Sequence, residues 1–342
     1  MLYIRLILSL IASIIGIILI IPGLMLMFPF WFVSLVAKMV AKFKPTLSTW
    51  EDIIEFDPEL GWRSKPNIDA HMDVDGIYHI TVGPDGWRGN QSLKKSDTIV
   101  IGDSFVFGQG TDDKNHFANL TKHTQVKPIG APGYGVVHYL LLLKNLSSEL
   151  KGKLVLWFVY TGNDYRESVR PSSYGYHFPF VFRDNATEAW EIQTSHIRDT
   201  KLPFHFEKGY KVSIPELADL FSKNYFSDYA YGAFEYLVVE AKKHCETHGA
   251  KFAVVTLPIK WCLDDSYLHK LKRHSGNPEN FSLKYPDEQA GIICKRHGIT
   301  FKAGSSEFTT EDFLPNDLHW SQGGNKKAAK IIDVLHKDFT SK

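Results

Sequence analysis

Thr98-Ile99-Val100-Ile101, followed at once by Gly102-Asp103-Ser104-Phe105, is the stretch from which the rest of the chain can be read. Consecutive apolar and β-branched residues without polar alternation mark a strand buried on both faces, as in a parallel sheet covered by helices. Open α/β sheets bind their ligands at the carboxyl edge, where such strands end. Ser104 therefore stands where a nucleophile would, although Gly-Asp-Ser alone is also an ordinary turn.

Downstream the same rhythm continues. Apolar strands are expected near 98–102, 126–129, 153–160, 251–257 and 299–301, and helices near 114–124, 136–149, 227–248 and 322–338. Strands alternating with helices predict an α/β fold, a three-layer α/β/α sandwich around a central parallel sheet. Upstream, residues 46–96 carry Trp, Gly, Pro and Asn signals and alternating stretches such as Tyr78-His79-Ile80-Thr81-Val82. They read as a small strand-and-turn entry module packed on a main domain spanning 97–342.

The N-terminus differs in kind. From Leu6 to Ala37 no residue is charged, with Arg5 on one flank and Lys38, Lys42 and Lys44 on the other. A spanning helix needs only about 20 apolar residues, so residues 1–45 are expected to hold an N-terminal transmembrane anchor. Pro22-Gly23 and Pro29 interrupt the run. One tilted span with an interfacial segment and a hairpin of two short passes both fit; a cleaved signal peptide fits less well, since its apolar core is usually shorter. Positive charge on both flanks leaves the orientation open.

Composition excludes some functions. Lys plus Arg total 39 against 38 Asp plus Glu, so net charge offers no attraction for nucleic acid. Cys245, Cys262 and Cys294 are odd in number and widely spaced, which signals neither a disulfide framework nor a zinc site. His244 and His248 stand four apart, but the run His-Cys-Glu-Thr-His puts the glutamate in the wrong place for a metalloprotease helix. Neither a metal nor a cofactor is expected. Nucleotide-binding loops of the G-x-x-x-x-G-K or G-x-G-x-x-G kind are missing in the right context.

Three further motifs end predicted strands or precede the last helix. Gly130-Ala131-Pro132-Gly133-Tyr134-Gly135 follows the run Val126 to Ile129, and glycine lets a backbone N–H approach a ligand closely. Leu154 to Tyr160 runs into Thr161-Gly162-Asn163-Asp164, where an asparagine amide can donate to a developing oxyanion. Pro315-Asn316-Asp317-Leu318-His319-Trp320 precedes an amphipathic stretch; histidine can take a serine's proton while a carboxylate sets its tautomer. Each motif alone is compatible with a plain turn or cap.

Taken in order, Gly-Asp-Ser-Phe, the turn at Gly133, Gly-Asn-Asp and the late Asp/His pair resemble the four blocks of the SGNH (GDSL-type) hydrolases over roughly residues 98 to 338. Leu60-Gly61-Trp62-Arg63 with Lys65-Pro66-Asn67 is similar to a leader in membrane-associated bacterial members. The resemblance implies a flavodoxin-like sandwich and an ester-cleaving acyl-enzyme mechanism. It also implies Ser104 as nucleophile, His319 as general base, and an oxyanion hole of the Ser104 N–H, the Gly133 N–H and the Asn163 side chain. Two positions depart from the family pattern. Pro128 replaces an asparagine common in the second block, and Asn316 stands where Asp-x-x-His would place its carboxylate. Asp317 gives Asp-x-His-Trp instead, similar to enzymes of bacterial polysaccharide O-acetylation, and is the expected orienting residue; some members use a Ser-His dyad.

A long insertion, about 165–225, holds Tyr174, Tyr176, His177, Phe178, Phe180, Phe182, Trp190, Phe204 and Phe206. Loops over a sheet's carboxyl edge shape substrate, so a substrate-shaping role is expected, with core filling as the plain alternative. The resemblance points to an esterase acting on an O-acylated glycan or lipid at a membrane, with the domain outside the cytoplasm, as in a periplasm. An O-acyltransferase of the same fold and a non-catalytic binding protein remain the other readings.

Overall fold

The computed structural model describes residues 8–11, 13–15, 30–35, 45–173, 176–199 and 217–341. Residues 1–46 and 47–342 form two compact units. In the first, the described pieces are helical, with Leu8, Ile14, Phe30 and Trp31 exposed. Among the described residues no helix is long and apolar enough to cross a membrane. Most of the expected anchor lies outside the described residues.

The second unit begins with helix α1 (Trp50–Ile53) and two antiparallel hairpins: β1 (Ile54–Asp57) with β2 (Gly61–Ser64), and β3 (Ile68–Asp73) with β4 (Ile77–Val82). In β4, Tyr78, Ile80 and Val82 are buried while the residues between them are less so, the alternation of a strand with one covered face. These hairpins belong to the same compact unit as everything after them.

Then comes the sandwich. β5 (Thr98–Gly102) leads into helix α2 (Ser104–Phe107) and helix α3 (Phe117–Leu120); β6 (Val126–Gly130) leads into helix α4 (Val136–Asn145). β7 (Leu154–Tyr160) leads into helix α5 (Asp164–Glu167) and the short strands β8 (Ser172–Ser173), β9 (Tyr176–His177), β10 (Phe180–Arg183) and β11 (Trp190–Gln193). Helix α6 (Tyr225–Thr247), β12 (Lys251–Leu257), helices α7 (Leu268–His274) and α8 (Tyr285–Arg296), β13 (Thr300–Lys302) and helix α9 (Gln322–Thr340) complete the chain. The central sheet has five strands, all parallel, in the order β13-β12-β7-β5-β6. Every residue of β5, β6 and β7 is buried, as helices on both faces require. α6 packs against α4 and α8, and α9 against α3.

Numbered by succession the strand order is 2-1-3-4-5. The chain adds β6 on one side of β5 and then crosses to add β7 on the other. That reversal opens a crevice at the carboxyl ends of β5 and β7, the place where doubly wound sheets bind ligands.

All five expected strands are present in this one sheet. The helix expected over 114–124 is reduced to α3 because the Asp333 carboxylate of α9 accepts the N–H groups of Lys122 and His123 (both 2.9 Å at the shorter contact), turning the chain toward β6. α8 went unrecognised in the sequence: its buried stripe is only Pro286, Asp287, Ala290, Ile293 and Cys294.

Asp333 is nearly buried and serves two backbone donors from a distant loop. Asp333→Ala removes the hydrogen bonds to both N–H groups; Lys122 and His123 are exposed, so water can take up the donors and the loss is that of two ordinary hydrogen bonds, about 1 kcal/mol each. The urea midpoint of the full chain is expected to fall by that order with an unchanged slope; a midpoint equal to wild type would show that the contact adds nothing.

Candidate active site

Ser104 is carried to the sheet edge by β5 and becomes the first residue of α2. Asp103 caps that helix, its carboxylate accepting the Phe105 N–H at 2.9 Å. The far end of α2 is held by Arg88, whose guanidinium donates to the carbonyls of Phe107 (2.9 Å), Gly108 (3.2 Å) and Thr111 (2.6 Å) and pairs with Asp113 at 2.7 Å. The guanidinium is buried, so it fixes the nucleophile turn from beneath, beyond the reach of solvent. Nothing in Trp87-Arg88-Gly89 marks this role in the sequence, since the three carbonyls it holds at this turn lie some twenty residues on.

His319 arrives from the opposite end of the chain. Its loop is shaped by the bridge between Phe313 and Trp320 and by the Leu314 N–H donating to the His319 carbonyl at 2.8 Å. The Lys260 ammonium ties the carbonyls of Leu314 (2.5 Å) and Pro315 (2.9 Å) to the loop after β12. The Phe105 ring lies 5.0 Å from both His319 and Trp320. The imidazole is thereby placed with Nε2 2.7 Å from Ser104 Oγ and Nδ1 2.5 Å from Asp317 Oδ1.

Those two contacts determine the protons. Asp317 also accepts the His319 backbone N–H at 2.8 Å. Burial pushes its carboxyl up, but the hydrogen bond and charge of His319 outweigh this and hold it below its ordinary value. An ionised Asp317 accepts a hydrogen bond from Nδ1–H, which keeps the ring proton on Nδ1 and leaves Nε2 of the neutral ring to accept from the Ser104 hydroxyl. Asn316 lies elsewhere: its backbone N–H and side-chain amide both bond Asp75, each at 2.7 Å. The carboxylate within hydrogen-bond distance of the imidazole is therefore the one two residues before the histidine.

The other two candidates sit on loops packed against this pair. Gly102 is level with Gly130 in β6 and with Phe158 in β7, so the turns after the three strands emerge side by side. A Cβ on Gly135 would lie 2.9 Å from the Asp164 carbonyl and from the Ser168 N–H, which seats the Gly133 loop directly on the turn bearing Asn163. Gly133 itself has φ 81°. Among the described residues neither the Ser104 N–H nor the Gly133 N–H donates to any protein group, leaving both available to an oxyanion. Asn163 is buried at the start of α5.

A second carboxylate underlies the nucleophile. Asp103 Oδ2 is 3.3 Å from Ser104 Oγ, and burial raises its pKa from 3.8 to about 6 against the pull of the Phe105 N–H and of His319. Beneath it, burial and the Asp103 charge push the Asp164 carboxyl well above its ordinary value; its Oδ2 accepts from Tyr139 and from the Tyr160 N–H, both at 2.6 Å.

A cavity of about 470 Å³ lies where the loops after β7 and β12 meet, lined by Thr161, Cys262, Asp264, Asp287, Lys284 and Ser305 among others. The described aromatic residues of the insertion mostly pack inward. Phe178 is buried against Trp62 and His138, and Trp190 lies against Tyr229. Tyr174, Phe204 and Phe206 lie outside the described residues. Core filling thus accounts for Phe178 and Trp190, while Phe180 and Phe182 stay half-exposed. The rings of His244 and His248 are 4.2 Å apart, with bonds to Ser147 and to their own helix. Among the described residues no cluster of three or more His, Cys, Asp or Glu side chains could hold a metal ion.

Neither a family model nor a curated protein matches the chain. Among solved structures it is similar to an acetyl xylan esterase, at 11% identity, 70% of this chain and 98% of that one, TM-score 0.39. It is also similar to TesA, at 12% identity, 69% and 94% coverage, TM-score 0.39. A GDSL-like lipase from Bacteroides thetaiotaomicron shares 12% identity over 73% of this chain and 92% of that one, TM-score 0.38. Likeness at this level leaves the chemistry to be decided by the geometry of the site.

Proposed function

We propose that this chain is a serine ester hydrolase of the SGNH type, acting on an O-acylated glycan or lipid held near a membrane. The observation that carries it is the unbroken relay from Ser104 Oγ through His319 to Asp317, at 2.7 and 2.5 Å. A serine becomes nucleophilic when an oriented base can take its proton during attack.

The chemistry then follows from the placement. Ser104 Oγ attacks the ester carbonyl carbon as its proton passes to His319 Nε2, and the Asp317 carboxylate stabilises the resulting imidazolium. The oxyanion is received by the Ser104 and Gly133 N–H groups and the Asn163 side-chain amide. Collapse expels the alcohol, which takes the proton from Nε2, and leaves an ester on Ser104. Water, deprotonated by the same imidazole, attacks that ester and releases the acid.

For the substrate, the support is the cavity beside the Asn163 loop. Its lining sets Thr161, Asp264, Asp265, Lys284, Asp287, Ser305 and Thr310 beside Leu263, Leu283 and two prolines, so it offers hydrogen-bond partners to a hydroxyl-rich alcohol. The uncharged run from Leu6 to Ala37 supports work near a membrane.

Ser104→Ala is expected to lower ester turnover by a thousandfold or more, on the order seen when triad members are removed, with an unchanged unfolding midpoint. Asp317→Ala should lose about 10²–10⁴-fold while Asn316→Ala stays within about threefold; steady-state kinetics with p-nitrophenyl acetate read both, and equal losses would remove Asp317 from its role.

The raised pKa of Asp103 has a sign that can be measured. A carboxyl raised on folding contributes stability below its unfolded value near 3.8 that is lost as pH rises through about 6. A rise of this size corresponds to roughly 3 kcal/mol. Between pH 4 and 7 the wild type should lose stability relative to Asp103→Asn; parallel curves for the two proteins would show that Asp103 is ionised as in water.

Chain-length profiles address the substrate. Activity should fall from p-nitrophenyl acetate to octanoate, and acetylated oligosaccharides should release acetate with a higher kcat/KM than acetate esters of simple alcohols. Rising activity with chain length would favour a lipid acyl group, and acetyl transfer seen only with an added sugar acceptor would make the enzyme a transferase.

A further inference from the structure

Leu60-Gly61-Trp62-Arg63, conspicuous in the sequence, has no part in the chemistry above, yet it runs directly beneath the oxyanion loop. Gly61 has φ 84°, and a Cβ there would meet the His177 carbonyl at 2.4 Å, so β2 approaches β9 this closely only as glycine. The approach seats Trp62, fully buried, among the rings of Tyr176, Phe178, Tyr134 and His138 at centroid distances of 5.3, 5.6, 5.8 and 5.9 Å.

Two hydrogen bonds join this strand directly to the Gly133 loop, and His138 of α4 links the two segments a third way. The Trp62 indole N–H donates to the Pro132 carbonyl at 2.9 Å. The Tyr134 hydroxyl donates to the Trp62 carbonyl at 2.5 Å. The Gly135 N–H donates to His138 Nδ1 at 3.0 Å, which puts the ring proton on Nε2, facing the Leu60 carbonyl at 3.2 Å. Burial lowers the His138 pKa to about 3, so this tautomer persists across the working range of pH.

The first of these bonds matters most. The Pro132 carbonyl and the Gly133 N–H belong to one peptide group, which is planar, with the two bonds pointing in opposite directions. Whatever holds the Pro132 oxygen therefore sets the direction of the Gly133 N–H. A donor on the carbonyl also polarises the amide and strengthens the N–H at its other end. The flanking residue, Tyr134, is pinned to the same strand, so the plane is fixed on both sides.

We infer that Trp62 is a positioning residue for the oxyanion hole, its indole N–H aiming the Gly133 N–H at the developing charge through the shared peptide plane. This rests on Ser104 acting as the nucleophile. Because the oxyanion exists only in the transition state, loss of aim should appear in kcat and leave KM alone. A general structural role would instead lower stability without that split.

The test uses the full chain and p-nitrophenyl acetate. Trp62→Phe keeps most of the ring and removes the donor; kcat is expected to fall about tenfold or more, with KM within about twofold. Tyr134→Phe, which deletes one oxygen and leaves the packing intact, is expected to lower kcat about threefold in the same pattern and carries the test if Trp62→Phe does not fold. Asp333→Ala, destabilised at a site away from the chemistry, should keep wild-type kcat. Wild-type kcat in both Trp62→Phe and Tyr134→Phe, with Ser104→Ala inactive, overturns the inference and spares the esterase reading. A kcat loss in Asp333→Ala matching that of Trp62→Phe also overturns it, by showing that lowered stability alone suffices. Activity surviving in Ser104→Ala overturns both.

Discussion

The parallel register of three strands is the constraint on which the rest depends. Gly102, Gly130 and Phe158 stand level in adjacent strands, so the turns after β5 and β6 leave the sheet at the same height, while β7 runs two residues further, to Tyr160, before its own turn. Because the chain reverses its direction of growth between β6 and β7, those turns open around a crevice instead of closing over it. One turn brings a hydroxyl, one a backbone N–H and one an amide. The histidine needs no strand of its own; it is delivered by the loop before α9, which is bound to the β12 loop through Lys260.

Polar groups buried under this edge hold it still. Arg88 takes up the carbonyls at the end of α2, Asp103 caps its beginning, and Asp164 joins β7 to α4 through Tyr139. Each replaces hydration with several fixed partners, as buried polar groups must. Their arrangement also sorts the carboxylates by charge. Asp317, beside an imidazole, is held ionised; Asp103 is balanced near neutrality; Asp164, deepest, is driven toward the protonated form.

The sheet was legible in the sequence because strands buried on both faces cannot alternate, and the five runs therefore stood out. The serine, glycine and asparagine stood out because each follows the end of such a run, and the histidine because it stands just before the last amphipathic helix. Asp317 was expected over Asn316 from the likeness of Asp-x-His-Trp; that Asn316 is bonded to Asp75, 241 residues away in the chain, is something no local pattern announces. Arg88 was invisible for the same reason, since carbonyl oxygens carry no sequence signature. In the aromatic insertion composition does not separate the two roles: Phe178 is buried against neighbouring rings, while Phe180 and Phe182 stay partly exposed. The motif around Trp62 was noticed as a resemblance, and only the tertiary contacts connect its indole to the Gly133 peptide.

The central claim is that the hydroxyl of Ser104, and no other, is the activated nucleophile. An alkyl fluorophosphonate reacts with a serine whose proton is taken by a neighbouring base and whose adduct is held in an oxyanion hole. Peptide mass spectrometry of the labelled full chain is expected to find one adduct, on the peptide containing Ser104, and none in the His319→Ala variant. An adduct on another serine, or labelling of Ser104 that persists undiminished without His319, would contradict the assignment.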